Sequence, residues 1–343
     1  MIIGILGAGS WGSALANLLA GNGHDVTVWS IDEKEIEMLQ TYREQRDRLP
    51  GVHLNETITF TTDLEQTIKG KKMIVCAVPS PFIRSTAKKI APYITNDQLI
   101  VNVSKGIEEA TLTPIVEIIE SEIPGAKVAV LSGPSHAEEV GIGIPTTVVA
   151  GARDMDTAKL IQNTFMNDVF RVYTSTDVTG IELGGSVKNV IALAAGITDG
   201  LGFGDNTKAA LMTRGMAEIL RLGTAMGAHV ETLAGLSGMG DLIVTCTSKH
   251  SRNRNAGYLI GQGKSYKEAM AEVKMVVEGV YSAKATLKLA KKYGVDMPIV
   301  EEVNKVLFEG KPAREAVVDL LSRGRETARS VELQVFDIPV KAL

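Results

Sequence analysis

The chain has only two cysteines, Cys76 and Cys246, among its 343 residues. Neither has a partner at zinc-ligand spacing, so a disulfide framework and a thiolate metal site are both excluded, and buried thiols in a reducing compartment are expected. There is no basic leader before the first apolar stretch, MIIGIL, and glycine interrupts that stretch at once. No later segment reads as an unbroken membrane-length apolar run. Excess positive charge is missing too: 36 basic against 40 acidic residues give a net charge of -4, which argues against a general nucleic-acid binder. A small basic pocket would be invisible in that sum. Internal repeats, proline-rich linkers and low-complexity tracts are likewise absent. These absences lead us to expect a cytoplasmic protein with no nucleic-acid partner and no membrane insertion.

What remains is a chain of globular composition, 45% hydrophobic and 22% charged, long enough for two cores. Its first half alternates short β-branched runs with amphipathic stretches, the pattern of βα units in a mainly parallel sheet. Strands are predicted at 2–6, 25–29, 58–60, 73–78, 99–103, 128–131, 146–150 and 169–173, with helices at 10–20, 32–42, 81–90 and 113–122. After about residue 177 the strand-like runs stop. Apolar residues then recur at helical spacing over 187–195, 208–226, 267–273, 282–292 and 300–308. We therefore expect an α/β nucleotide-binding domain over 1–177 and an all-helical domain over 178–343, with the cleft between them as the ligand site.

Gly7-Ala8-Gly9-Ser10-Trp11-Gly12 follows the first strand and opens the first helix, the setting a dinucleotide fingerprint requires. Gly7 makes the tight turn, Gly9 leaves room for a pyrophosphate, and Gly12 lets helix and sheet approach. The helix N-terminus offers free N–H groups and partial positive charge to the phosphates. Asp32, after the second strand, has two readings: a ribose-binding carboxylate, or the N-cap of the next helix. Arg46 and Arg48 are either within reach of a 2′-phosphate or ordinary surface charges.

Four polar positions stand out in the rest of the chain. Lys188 lies in the apolar stretch GGSVKNVIALAA, where it must pair, face a cleft or snorkel at the helix margin. Lys105 follows the strand LIVNV, either at the ligand edge of the sheet or as a surface lysine. Asp241, after the glycine-rich GLSGMG, reads as a helix N-cap or a pocket carboxylate. Ser251-Arg252-Asn253 reads as an exposed loop or an anion grip.

Long segments in the same order resemble the bacterial NAD(P)-dependent glycerol-3-phosphate dehydrogenase family over nearly the whole chain. They are GAGSWGSALA from Gly7, VNVSKGIE from Val101, LSGPSHAEEV from Leu131, GIELGGSVKNVIALAAGITDGLGFGDNTKAALMTRGMAEI from Gly180, GLSGMGDLIVTCTSKHSRN from Gly235, and VEGV from Val277. The resemblance implies a Rossmann-type doubly wound domain followed by a helical domain like the C-terminal one of 6-phosphogluconate dehydrogenase. It implies reduction of dihydroxyacetone phosphate to sn-glycerol 3-phosphate with NAD(P)H, feeding phospholipid synthesis, by a homodimer.

For individual residues, the resemblance makes Lys188 the proton donor and acceptor, Lys105 a second cation at the substrate oxygens and nicotinamide, and Asp241 a pocket carboxylate that either orients Lys188 or hydrogen-bonds a substrate hydroxyl. It makes Gly133, Ser135, Ser251, Arg252 and Asn253 substrate-binding. Gly7, Gly9, Ser10, Trp11, Gly12, Lys105, Ala137, Arg252, Val276 and Glu278 become cofactor-binding. His136 is expected to be structural. Relatives often carry Arg or His just after the second strand, where this chain has Ser30 and Ile31, so the choice between NAD and NADP stays open.

Overall fold

The computed structural model describes residues 1–323; the last twenty residues of the expected helical domain, 324–343, lie outside the described residues. Two compact units are present: Met1–Glu108 with Thr113–Glu182, and Glu109–Leu112 with the chain from Leu183 onward.

The first unit is built on an eight-stranded sheet. Its strands are β1 (Ile2–Leu6), β2 (Asp25–Trp29), β3 (Thr59–Thr61), β4 (Met73–Cys76), β5 (Leu99–Asn102), β8 (Lys127–Ser132), β9 (Thr146–Gly151) and β10 (Phe170–Ser175). A separate two-residue hairpin pairs β6 (Ile107–Glu108) with β7 (Thr113–Pro114). The sheet order is β3-β2-β1-β4-β5-β8-β9-β10, and every neighbouring pair is parallel except β8 with β9. The order reverses between β1 and β4, the point at which such sheets open a crevice at their carboxyl edge.

Both faces of the sheet are covered, which explains why MIVC and LIVN are continuous apolar runs rather than alternating ones. Ile3, Ile5, Val75 and Val101 pack on one face with Leu15 and Leu19 of α1 (Ser10–Gly21), Ile36 and Leu39 of α2 (Glu33–Tyr42) and Ile161 of α7 (Met155–Phe165). Leu6, Ile74, Cys76 and Ile100 pack on the other, against α3 (Leu64–Ile68), α4 (Ile83–Ile90) and α5 (Ile115–Glu122). Burial pushes both thiols, Cys76 and Cys246, up to about 12. The short α6 (Ala137–Gly141) packs on α1.

The expected strands are all present, with ends shifted by up to two residues. Three helix starts in this unit differ, that of α2 by one residue, since Asp32 is its N-cap. Thr113–Pro114 pairs as a strand, because the proline ring pushes the residue before it into extended backbone. Residues 80–82 form a 3₁₀ turn ahead of α4.

The second unit is helical. Its central element is α8 (Val178–Gly200), whose first turns belong to the other unit; it is long and apolar enough to cross a membrane by length and composition, and its most apolar stretch is buried within the protein. Around it lie α9 (Asp205–Ala225), α10 (Val230–Leu233), α11 (Asp241–Thr247), α12 (Arg252–Gly261), α13 (Tyr266–Val273), α14 (Glu278–Tyr293), α15 (Pro298–Phe308) and α16 (Ala313–Ser322). Helices α8 and α12 cross backbone to backbone. A Cβ on Gly196 would stand 2.0 Å from the Arg254 carbonyl oxygen, and one on Gly257 would stand 2.1 Å from that of Leu193. Gly196→Ala is therefore expected to cost at least 1–3 kcal/mol, roughly the price of overpacking a core. Urea unfolding of the variant checks this, and a loss below about 0.5 kcal/mol would mean that the two helices separate easily.

Candidate active site: a glycine-rich turn and a buried lysine

In the first unit, the predicted nucleotide residues gather at the carboxyl edge of β1. Gly7 has φ +110°, and a Cβ on Gly12 would stand 1.9 Å from the Gly7 carbonyl oxygen, so the amino end of α1 rests directly on the turn. Helix α1 has Gly9 as its N-cap, no side-chain cap and no acidic residue in its first turn, which leaves its amino end suited to an anion. Ser10 is buried, and Trp11 packs against the core beside it.

Sequence reasoning missed the support for this turn. Gln45, fully buried, donates both amide hydrogens, to the Ala8 carbonyl at 2.8 Å and to Glu35 Oε1 at 2.7 Å. Arg48 pairs with the same Glu35 at 3.1 Å, and its Nη1 lies 3.7 Å from where a Gly9 Cβ would stand. Asp32 is the N-cap of α2: its Oδ1 accepts from the Lys34 and Glu35 N–H groups at 3.0 and 3.4 Å. Arg46 stacks on the Tyr42 ring. These residues fit a dinucleotide, because the space beside Gly9 and the uncapped helix end match the size and charge of a pyrophosphate.

Along the same edge, Ser104 bonds the Val78 carbonyl at 2.6 Å and fixes the loop that carries Lys105. Lys105 is half-buried rather than an ordinary surface lysine. Its Nζ donates to the Gly133 carbonyl at 3.2 Å, and Ser135 Oγ donates to the same oxygen at 3.0 Å. A Cβ on Gly133, which has φ +152°, would lie 2.9 Å from Val148 Cα, so no larger residue fits that turn. Ala137 opens α6, just past His136.

In the second unit, Lys188 is 4% exposed, which overturns the snorkelling alternative. Its Nζ donates to Asp241 Oδ1 and to Thr245 Oγ1, each at 2.5 Å, and Thr245 Oγ1 in turn donates to the Asp241 carbonyl. The N-cap reading of Asp241 fails as well: Gly240 holds that position, and the Asp241 side chain faces the lysine. Glycines allow the approach, since a Cβ on Gly184 would meet the Ser237 carbonyl oxygen at 2.9 Å and Gly238 Cα at 3.0 Å. Thr245 was not singled out from the sequence, although its spacing of four from Asp241 puts both on one helical face.

The run Ser251-Arg252-Asn253 is only partly a loop. Ser251 is the buried N-cap of α12 and accepts from the Arg254 N–H at 3.2 Å. Asn253 is buried; it donates to Asn189 Oδ1 at 3.0 Å and accepts from the Gly279 N–H at 2.8 Å. That amide ties the Lys188 segment to α12 and to the start of α14, next to Val276 and Glu278. Arg252 is exposed at the first helical position. Arg254 instead pairs with Asp199, which Lys208 also reaches.

Family models for the N- and C-terminal parts of NAD-dependent glycerol-3-phosphate dehydrogenase match residues 2–158 and 177–318. The chain belongs to that family. It is 65% identical over 328 residues to a glycerol-3-phosphate dehydrogenase [NAD(P)+] of Agathobacter rectalis, covering 96% of this chain and 98% of the relative. It is 49% identical over 340 residues to the enzyme of that name from Bacillus subtilis, covering 98% and 99%. The crystal structure of glycerol-3-phosphate dehydrogenase from Coxiella burnetii superimposes with a TM-score of 0.91 at 37% identity, covering 94% of this chain and 99% of that one.

Removing one member of a buried ion pair strands the other charge, which typically costs about 3–5 kcal/mol. Asp241→Ala is expected to lose that much, and Lys188→Met added to it should restore most of the loss. Urea denaturation of the single and double variants decides; equal stabilities would mean that the pair carries no such charge.

Proposed function

We propose that this chain reduces dihydroxyacetone phosphate to sn-glycerol 3-phosphate, reversibly, with NAD(P)H as hydride donor. The observation that carries this reading is the Lys188 ammonium, buried and held between Asp241 and Thr245 within a segment matched by the family model. Residues 1–177 form the nucleotide-binding domain, with Gly7, Gly9, Ser10, Trp11, Gly12 and Ala137 against the cofactor, and 178–343 the substrate domain, with Val276 and Glu278 as further cofactor contacts. The bound nicotinamide supplies the hydride that adds to the carbonyl carbon.

Lys188 gives a proton to the carbonyl oxygen as negative charge develops there, and takes it back in the oxidation direction. Asp241 fixes the amine and balances its charge while it is protonated. Lys105 adds a second positive charge at the substrate oxygens, beside the Gly133–Ser135 turn. The phosphate is gripped by Arg252 and the amino end of α12, with Ser251 and Asn253 shaping that end, their side chains being committed to the cap and to Asn189 and Gly279. The burial of α8 supports a protein without membrane insertion, and we assign the enzyme to the cytoplasm, as a homodimer supplying glycerol 3-phosphate for phospholipid synthesis.

Lys188→Ala is expected to lower kcat by about 10²-fold or more, the usual contribution of a general acid, while NADH affinity by fluorescence titration stays within about twofold. Near-normal turnover would remove Lys188 from the chemistry. Arg252→Ala should raise KM for dihydroxyacetone phosphate by about tenfold or more, the loss of a charge-assisted bond, with little change for unphosphorylated dihydroxyacetone. Initial-rate kinetics on both substrates test this, and equal effects on the two would refute the grip.

A further inference from the structure

The reaction proposed above can run on NADH or on NADPH, which differ by one phosphate on the 2′-oxygen of the adenosine ribose. In a turn of this class the pyrophosphate lies over the second glycine, and that ribose reaches the end of the second strand. The two places adjoin here: Leu6 pairs with Trp29, the last residue of β2, and the Gly7 N–H donates to the Trp29 carbonyl at 2.9 Å.

One carboxylate joins them. Glu35, in the first turn of α2 with its side chain 9% exposed, accepts from Ser30 Oγ at 2.5 Å, just past the end of β2. It also accepts from Gln45, which holds the Ala8 carbonyl of the glycine turn, and it pairs with Arg48 beside Gly9. Of these three partners only Arg48 carries a charge.

The rest of the segment does little to attract a phosphate. Neither residue after β2, Ser30 or Ile31, is basic. The N-cap and first turn of α2 bring three carboxylates, Asp32, Glu33 and Glu35, against one ammonium, Lys34. Arg43 is engaged by Glu56 and the Ile58 carbonyl, and Arg46 by Glu44 and the Tyr42 ring. To meet a 2′-phosphate, Arg48 would have to leave Glu35, whose buried charge would then rest on two neutral donors. A ribose hydroxyl makes no such demand: it adds no charge and can donate to a carboxylate.

We propose that this chain prefers NADH to NADPH and that Glu35 sets the preference, its carboxylate holding Arg48 and repelling a 2′-phosphate at the end of β2. This deepens the reading of the Gly7–Gly12 turn as the cofactor site and rests on it.

Fluorescence titration should give NADH a Kd about tenfold or more below that of NADPH, as juxtaposed like charges demand. ADP-ribose and 2′-phospho-ADP-ribose, which carry no nicotinamide, should differ in the same sense by calorimetry. Glu35→Gln keeps a polar partner for Ser30 and Gln45 while releasing Arg48, and should cut the NADPH-to-NADH Kd ratio by about fivefold or more. Adding Arg48→Ala to it should raise the ratio again. In the wild type, raising salt from about 0.05 to about 0.5 M should narrow the gap between the two dinucleotides, because screening relieves repulsion.

A smaller gap in the wild type would overturn the preference, and a smaller drop in Glu35→Gln would take the role from Glu35. A gap that holds or widens with salt would mean that Arg48 grips the phosphate instead; if Glu35→Gln fails to fold, that measurement decides. Selective NADH binding by a protein that does not reduce dihydroxyacetone phosphate would sink the functional reading and leave the preference standing, whereas binding of neither dinucleotide would overturn both.

Discussion

The contact on which the helical unit depends is the one between the Lys188 ammonium and the Asp241 carboxylate. An amine in an apolar helix is costly unless a counter-charge and a further acceptor meet it at hydrogen-bond distance. Asp241 and Thr245 meet both demands, and meeting them dictates much else. The chain must turn tightly at 236–240 to aim the aspartate inward, and glycines are needed where that turn touches α8. The pair does not exist to stabilise the fold, since an apolar pair of similar volume would pack as well. Its retention is in keeping with the acid–base role proposed for Lys188.

The nucleotide unit meets a different constraint. Its sheet is buried on both faces, and at the carboxyl ends of its strands the backbone turns are held close together. Gly7, Gly12 and Gly133 clear the space, while Gln45, Ser104 and Lys105 tie the turns to neighbouring segments.

Much of this was legible beforehand. Strand–glycine–helix order announced the nucleotide turn, and β-branched runs alternating with amphipathic stretches announced a mainly parallel sheet. The apolar surroundings of Lys188 signalled that it must find a partner. Composition and spacing could not say which partner, and only the resemblance offered Asp241, because Asp241 and Thr245 come within reach only through the close approach of α8 to the 236–240 turn. Composition also fails to tell a hydrated polar run from one turned inward. Ser251 and Asn253 looked like loop residues, yet one caps a helix and the other binds two. Asp32 shows the reverse: its capping use was visible, and the second oxygen of its carboxylate leaves the ribose reading open. The β6–β7 hairpin escaped notice since two-residue strands carry no periodicity.

The glycine-lined crossing of α8 and α12 carries a lesson for redesign. Main-chain atoms alone set the separation of these two rods, and with it the span from the amine on one to the guanidinium on the other. Swapping side chains at the crossing can widen that span but never narrow it. With Lys188 and Arg252 in their proposed roles, attempts to accept longer phosphate esters by mutation have room to work here; attempts to favour shorter ones would have to act elsewhere.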